Sequence, residues 1–289
     1  MALITPFDDF PIHQTAETLA VPSSSDRNHY DRYWFNGFSE EKDFLFEIGV
    51  GFYPNRHIMD AHFSISTAGK QYSYHASARM NPARYPINIG PISLEILEPM
   101  QKIRFSLKDP EKKLSCDLIF NAITEPHLEP KSLMIEGTRK ILETSRFTQF
   151  GKWDGSIETE SGNLDLTKEY GTRDKSWGVR PVGEPEIGAP GKLNAEPGVY
   201  WCWIPINFGD TFTHFGTFED HDGNSTQLSA DLVEISNNEV IKPLNNISHK
   251  VDWIKGTRWS SGAQISAQDG DKKIEINAKA CGPRFHCKG

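Results

Sequence analysis

The segment GTRDKSWGVRP at 171–181 gathers Arg173, Asp174, Lys175, Trp177 and Arg180 into one short stretch. A carboxyl group near an indole can protonate a carbon–carbon double bond and hold the resulting cation against an aromatic face. The donor must keep its proton near neutral pH, which burial promotes and neighbouring cations oppose. Arg173 and Arg180 therefore support a second reading, in which Asp174 is an ion-pair partner locking a joint and Trp177 packs in an interface. On a regular strand Arg173, Lys175 and Trp177 share one face, and Asp174 and Ser176 the other. Asp174 and Trp177 then meet only across a bulge or bend, which Gly178 would permit.

A second group lies in YPNRHIMDAH at 53–62. Asp60 and His62 fall on one face of a strand, with His57 shortly before them, and this trio would need a fourth ligand from elsewhere to hold a metal ion. Pro54 and Asn55 mark a turn, so a satisfied polar turn is the preferred reading and no metal is expected. Tyr53 remains a candidate ligand contact, and Asp60 a candidate acid inside the first half of the chain. HFGTFEDHDGN at 214–224 closes in a turn whose Asp and Asn cap their own backbone. Cys281 and Cys287 flank His286 at a spacing that suits no common zinc motif. Trp201 and Trp203 share a face of YWCWIPINF at 200–208, and with Trp34 they either line an apolar cavity or pack a core.

The elements that must position these groups read as strands. FLFEIGVGF, HFSISTAGKQYSYHASA, KIRFSL, LSCDLIF, VYWCWIPI, TFTHFGTF and KKIEINAKA alternate apolar with polar residues. Turn sequences rich in Gly, Asn, Asp and Pro separate them. The order repeats: strand 44–52, turn 53–56 and strand 59–66 are matched by strand 199–208, turn 209–210 and strand 211–218. This predicts an all-β chain of two antiparallel barrels, over 1–149 and 150–289. After 133–147 supplies a strand pair to the first half, the second half stops soon after INAKA and looks short of closing strands.

The chain has 289 residues and a formal net charge of −8, so no basic field draws it to nucleic acid or an anionic membrane. No apolar run approaches the roughly twenty residues that span a bilayer. The four cysteines form no CxxC pair, and with an acidic N-terminal stretch they read as reduced thiols in a cytoplasmic protein. There is no Gly-x-Ser-x-Gly elbow, phosphate loop or dinucleotide fingerprint, and no cofactor is expected.

FGKWDGSIE at 150–158 resembles the lipocalin start, where the tryptophan of Gly-x-Trp plugs the closed end of a barrel. RYWFNGF (32–38), GFYPNRHIMDAHFS (51–64), SRFTQFGKWDG (145–155) and above all GTRDKSWGVRP resemble the tandem lipocalin-like proteins that include carotenoid 1,2-hydratase. The resemblance runs from about residue 30 to 289 and implies two lipocalin-like barrels packed side by side, with a hydrophobic small-molecule ligand. It also implies hydratase or cyclase chemistry on isoprenoid-like substrates, with Asp174 as the acidic member of the shared motif. The expected activity is cofactor-independent, acid-catalysed hydration, isomerisation or cyclisation of an isoprenoid-like alkene. Asp174 and Trp177 would be catalytic, and Arg173, Arg180, Trp34, Tyr53, Asp60, Trp201 and Trp203 would contact ligand. The alternatives are a lipid or hydrophobic-metabolite carrier without catalysis, and a scaffold for protein contact.

Overall fold

The computed structural model describes residues 6–111, 113–182, 200–236 and 240–280. They belong to two compact units, one within 1–190 and the other within 191–282. The first unit contains β1 (His29–Ser39), β2 (Phe44–Tyr53), a 3-10 turn at Pro54–Arg56, β3 (Ile58–Thr67), β4 (Lys70–Arg79), β5 (Ile87–Ile89), β6 (Ile92–Glu98) and β7 (Lys102–Lys108). It continues with β8 (Leu114–Ala122), β9 (His127–Leu128), β10 (Ser132–Glu136), β11 (Arg139–Thr159) and β12 (Gly162–Val179). The sheet order is β4-β3-β2-β1-β12-β11-β8-β7-β6-β5, with β9 and β10 added on β11. Its end strands β4 and β5 touch, so the sheet curls into a nearly closed antiparallel barrel.

Alternation explains why this sheet closes. In β2, Phe44, Phe46, Ile48, Val50 and Phe52 all point into the core, while Glu47 and Tyr53 of the other set stay partly exposed. Phe63 and Ile65 of β3, Phe105 of β7 and Leu118 and Phe120 of β8 meet them. At the centre lies Trp153, fully buried, with Phe46 at 5.3 Å and Phe120 at 5.2 Å between ring centroids. Its indole N–H donates to the Asn36 carbonyl at 2.8 Å. The ring reaches this place because Gly171 leaves room: a Cβ there would stand 2.3 Å from Trp153 Nε1. The tryptophan of FGKWDG thus fills the interior of the first barrel, and the middle of the lumen is packed side chains instead of a hollow.

β11 is 21 residues long and runs through residue 150, the position where the sequence reading placed a boundary. Its first part pairs with β9, β10 and β12, and its last part with β8 and β12. The partner changes between Thr148 and Gly151, and a register shift against β12 follows between Trp153 and Gly155. The two compact units part at 190–191.

The second unit holds β13 (Tyr200–Asn207), β14 (Thr211–Glu219), β15 (Ser225–Glu234) and β16 (Val240–Pro243) in one antiparallel sheet. β17 (Asn245–Trp253), β18 (Ser260–Asp269) and β19 (Lys272–Lys279) form another. Among the described residues this unit is two sheets and not one closed barrel. Ala230, Leu244 and Ala267 make a small core in it. The DHDGN turn caps itself as its residues dictate: the Asp220 carboxylate accepts from the amides of Asp222 at 3.0 Å and Asn224 at 2.9 Å. Among the described residues no helix is long and apolar enough to cross a membrane.

Candidate functional site

The first barrel carries its polar rows on the face turned away from its core. Strand pairing sets Ser77, Asp60, Gly51, Arg32, Ser176 and Arg146 in one row across β4, β3, β2, β1, β12 and β11. The neighbouring row is His75, His62, Gly49, Trp34, Asp174 and Thr148. A strand with one buried apolar face can carry such a polar row only on the other.

A cavity of about 550 Å³ opens on this face. Arg32, Tyr53, Asp60, His62, His75, Ser77 and Arg180 supply its polar wall. Two glycines create it. A Cβ on Gly49 would stand 2.4 Å from the His62 ring, and one on Gly51 would stand 2.7 Å from Asp60 Oδ1.

Within the cavity Asp60 is half-buried, and the Tyr53 hydroxyl donates to its Oδ1 at 3.5 Å. Burial raises the Asp60 pKa, while Arg32, His62 and the Tyr53 hydrogen bond pull it down. Burial and the Asp60 charge raise the Tyr53 phenol, so it remains a donor. Behind them Glu47 faces His62, with Oε1 3.7 Å from Nε2. The His62 imidazole beside it holds the Glu47 carboxyl below its ordinary value, helped by the Trp34 indole and by Arg32. The His62 and His75 rings stack at 5.6 Å. Asp60, Tyr53, Arg32 and an imidazole backed by a carboxylate are the groups that proton transfer and orientation of an oxygen require.

Of the residues singled out in the sequence, Tyr53, Asp60 and Arg180 line the cavity, and Trp34 stands behind it through Glu47. Asp174 lies on the same face but outside the lining, buried between its cross-strand partners Trp34 and Thr148. Burial raises its pKa, the effect that outweighs Arg146, Arg32 and Arg180. The indole beside it is that of Trp34 and not of Trp177. Pairing along β12 keeps its register from Gly171 to Val179, so Trp177 stays with Lys175 on the opposite face, against the ring of Phe147. Gly178 does take a φ of 131°, but only after Trp177. Arg173 is inside the barrel: its Nε donates to Gln149 Oε1 at 2.7 Å, and its guanidinium lies over the rings of Phe147 and Phe120.

Trp201 and Trp203 belong to the second unit, where their rings stack at 6.4 Å and Trp201 also meets Phe218. His57 is exposed at the left-handed end of the 3-10 turn, outside the lining of the cavity that Asp60 and His62 share. In the first unit no three described His, Cys, Asp or Glu side chains bring ligand atoms within 4.8 Å of one another. Cys281, His286 and Cys287 lie outside the described residues. Sequence reasoning missed Arg32, Glu47 and His75, and it weighed His62 only as a metal ligand. The signal for them was Gly49-x-Gly51, two glycines on one face of a strand, which marks a close approach from the neighbouring strand.

Fold and face together define a lipocalin-like antiparallel barrel protein with a polar cavity on its outer sheet surface. The sequence matches the family of unknown function DUF8625 over residues 4–289, and the chain belongs to that family. No sequence match to a curated protein was found. Among solved structures it is similar to the AttH protein of Nitrosomonas europaea, at 15% identity and a TM-score of 0.59, covering 89% of this chain and 82% of that one. It is also similar to kievitone hydratase of Nectria haematococca, at 12% identity and a TM-score of 0.55, covering 86% of this chain and 76% of that one. These are likenesses of fold.

Proposed function

We propose that the chain is a cofactor-independent acid–base enzyme that adds water to, isomerises or cyclises a carbon–carbon double bond, with Asp60 as the proton donor. The observation that carries this reading is the Asp60 carboxyl, raised by burial, in a cavity of about 550 Å³ beside the Tyr53 hydroxyl, Arg32 and His62. In the hydration step the Asp60 proton passes to one alkene carbon and water bonds to the other. His62, oriented by Glu47, takes the proton that water releases, and a proton returns to Asp60 through solvent. Arg32 and Arg180 meet oxygen atoms of the substrate. Asp174 shares both arginines with this group and acts through them as a positioning residue.

The wall is polar, and a wholly hydrocarbon ligand would leave its arginines and histidines without partners. The substrate is therefore an isoprenoid-like or other alkene that carries hydroxyl, carbonyl or carboxylate groups. Kievitone hydratase shares the fold and is named for a hydration, which supports the same reaction class. A lipid carrier draws less support, because the middle of the first lumen is filled by Trp153 and the surrounding phenylalanines.

The test is to incubate wild type and Asp60→Asn with a panel of oxygenated terpenoid and prenyl-bearing alkenes and to follow water addition by mass spectrometry. Turnover in wild type and a loss of about 100-fold or more in Asp60→Asn is the expected result. Equal turnover in both proteins removes Asp60 from the mechanism.

A further inference from the structure

A second, smaller cavity of about 250 Å³ lies on the core side of the first barrel, lined by Leu19, Phe52, Tyr85, Ile87 and Ile96 with Asp31, Tyr33 and Arg84 among them. None of these residues lines the larger cavity. Its walls are apolar and its charges do not balance. Asp31 is held by Lys175, whose ammonium also sits 4.6 Å over the Tyr33 ring. Arg84 thus faces a carboxylate that already has a cation. Its buried Nε has no hydrogen-bond partner among the described residues. Arg84 also takes a φ of 57°, a conformation that asparagine or glycine adopts more readily than arginine. A guanidinium whose buried Nε lacks a partner and whose neighbouring carboxylate is shared with Lys175 is a place for an anion. Tyr33 adds a donor: burial, reinforced by Asp31, pushes its phenol up to about 12, so the hydroxyl keeps its proton.

We infer that this cavity binds a small amphiphilic carboxylate, with its carboxylate on Arg84 and Tyr33 and its apolar body against Phe52, Ile87 and Ile96. At about 30 Å³ per non-hydrogen atom the space takes roughly eight to ten such atoms. The site is independent of the acid–base group on the outer face.

The experiment is calorimetric titration of the full chain with octanoate, and separately with 1-octanol as the uncharged counterpart. Asparagine suits a positive φ, so Arg84→Asn removes the charge and leaves the turn relaxed. Wild type is expected to bind octanoate, Arg84→Asn to bind it at least about tenfold more weakly, and both to bind 1-octanol alike. Arg84→Lys keeps the charge and is expected to retain most of the octanoate affinity. Asp60→Asn is expected to bind octanoate as wild type does. The inference fails if octanoate does not bind, if Arg84→Asn binds it as tightly as wild type, or if Asp60→Asn abolishes binding and so places it in the other cavity. Should Arg84→Asn not fold, the octanoate response of Arg84→Lys against wild type decides, and loss of binding there with thermal unfolding unchanged overturns the charge assignment.

Discussion

Gly51 of β2 lies directly across from Asp60 of β3, and a methyl group on it would stand 2.7 Å from the Asp60 carboxylate and 2.6 Å from the Tyr53 hydroxyl. The absence of that one side chain is what lets the acid and the phenol share a hollow. Gly51→Ala is therefore expected to displace both groups and remove turnover. The atoms it meets are the far ends of side chains, so the cost in folding should stay at about 1–3 kcal/mol. Thermal unfolding and product formation on one preparation separate the two effects. Full activity in a stable Gly51→Ala protein would show that the Tyr53 and Asp60 pair is not the reacting group.

Asp174 gives a pH-dependent signature. Its folded-state pKa is raised above the unfolded value of 3.8, with burial as the largest cause. The folded state then binds the proton more tightly than the unfolded one, so stability falls as pH rises from 3.8 through the raised value. Asp174→Asn has no such titration. The melting temperature of the variant relative to wild type should rise with pH across this window and then level off. A difference that falls with pH would mean that Arg146, Arg32 and Arg180 outweigh burial.

Arg173 tests the division between the two faces of the sheet. It lies in a buried network in which its Nε donates to Gln149 Oε1 and the Gln149 amide donates to the carbonyls of Met100 and Thr124. Arg173→Met strands the Gln149 oxygen and is expected to cost about 2–4 kcal/mol in stability by chemical denaturation. The Michaelis constant for any substrate of the outer cavity should change little. A large rise in that constant with unaltered stability would put Arg173 in the binding site.

The strands were legible because a period of two is local. FLFEIGVGFY places its phenylalanines inward whatever its partners are, and DHDGN turns by its own hydrogen bonds. The polar face that carries the larger cavity was legible in part. Tyr53, Asp60 and Arg180 stood out by type, and alternation correctly separated Asp174 from Trp177. What joins Arg32 to Asp60, or Trp34 to Asp174, is the register between strands distant in sequence, which periodicity does not specify. The same reason hid the continuity of β11 through residue 150. A Gly-x-Trp pattern reads as the opening of a new barrel, yet here Trp153 lies on β11, which with β12 joins β1 to β8 in the first barrel, and its ring enters the interior through space that Gly171 of the following strand leaves open.

The direct measurement of the central claim is the titration of Asp60 itself, followed by carboxyl carbon chemical shifts in carbon-13 aspartate-labelled protein, with Asp60→Asn supplying the assignment. A midpoint above 3.8 is expected, because burial in the cavity disfavours the carboxylate more than Arg32, His62 and Tyr53 favour it. A midpoint at or below 3.8 would mean that the arginine and histidine hold the group ionised. Asp60 would then be an anchor for substrate and not its proton donor.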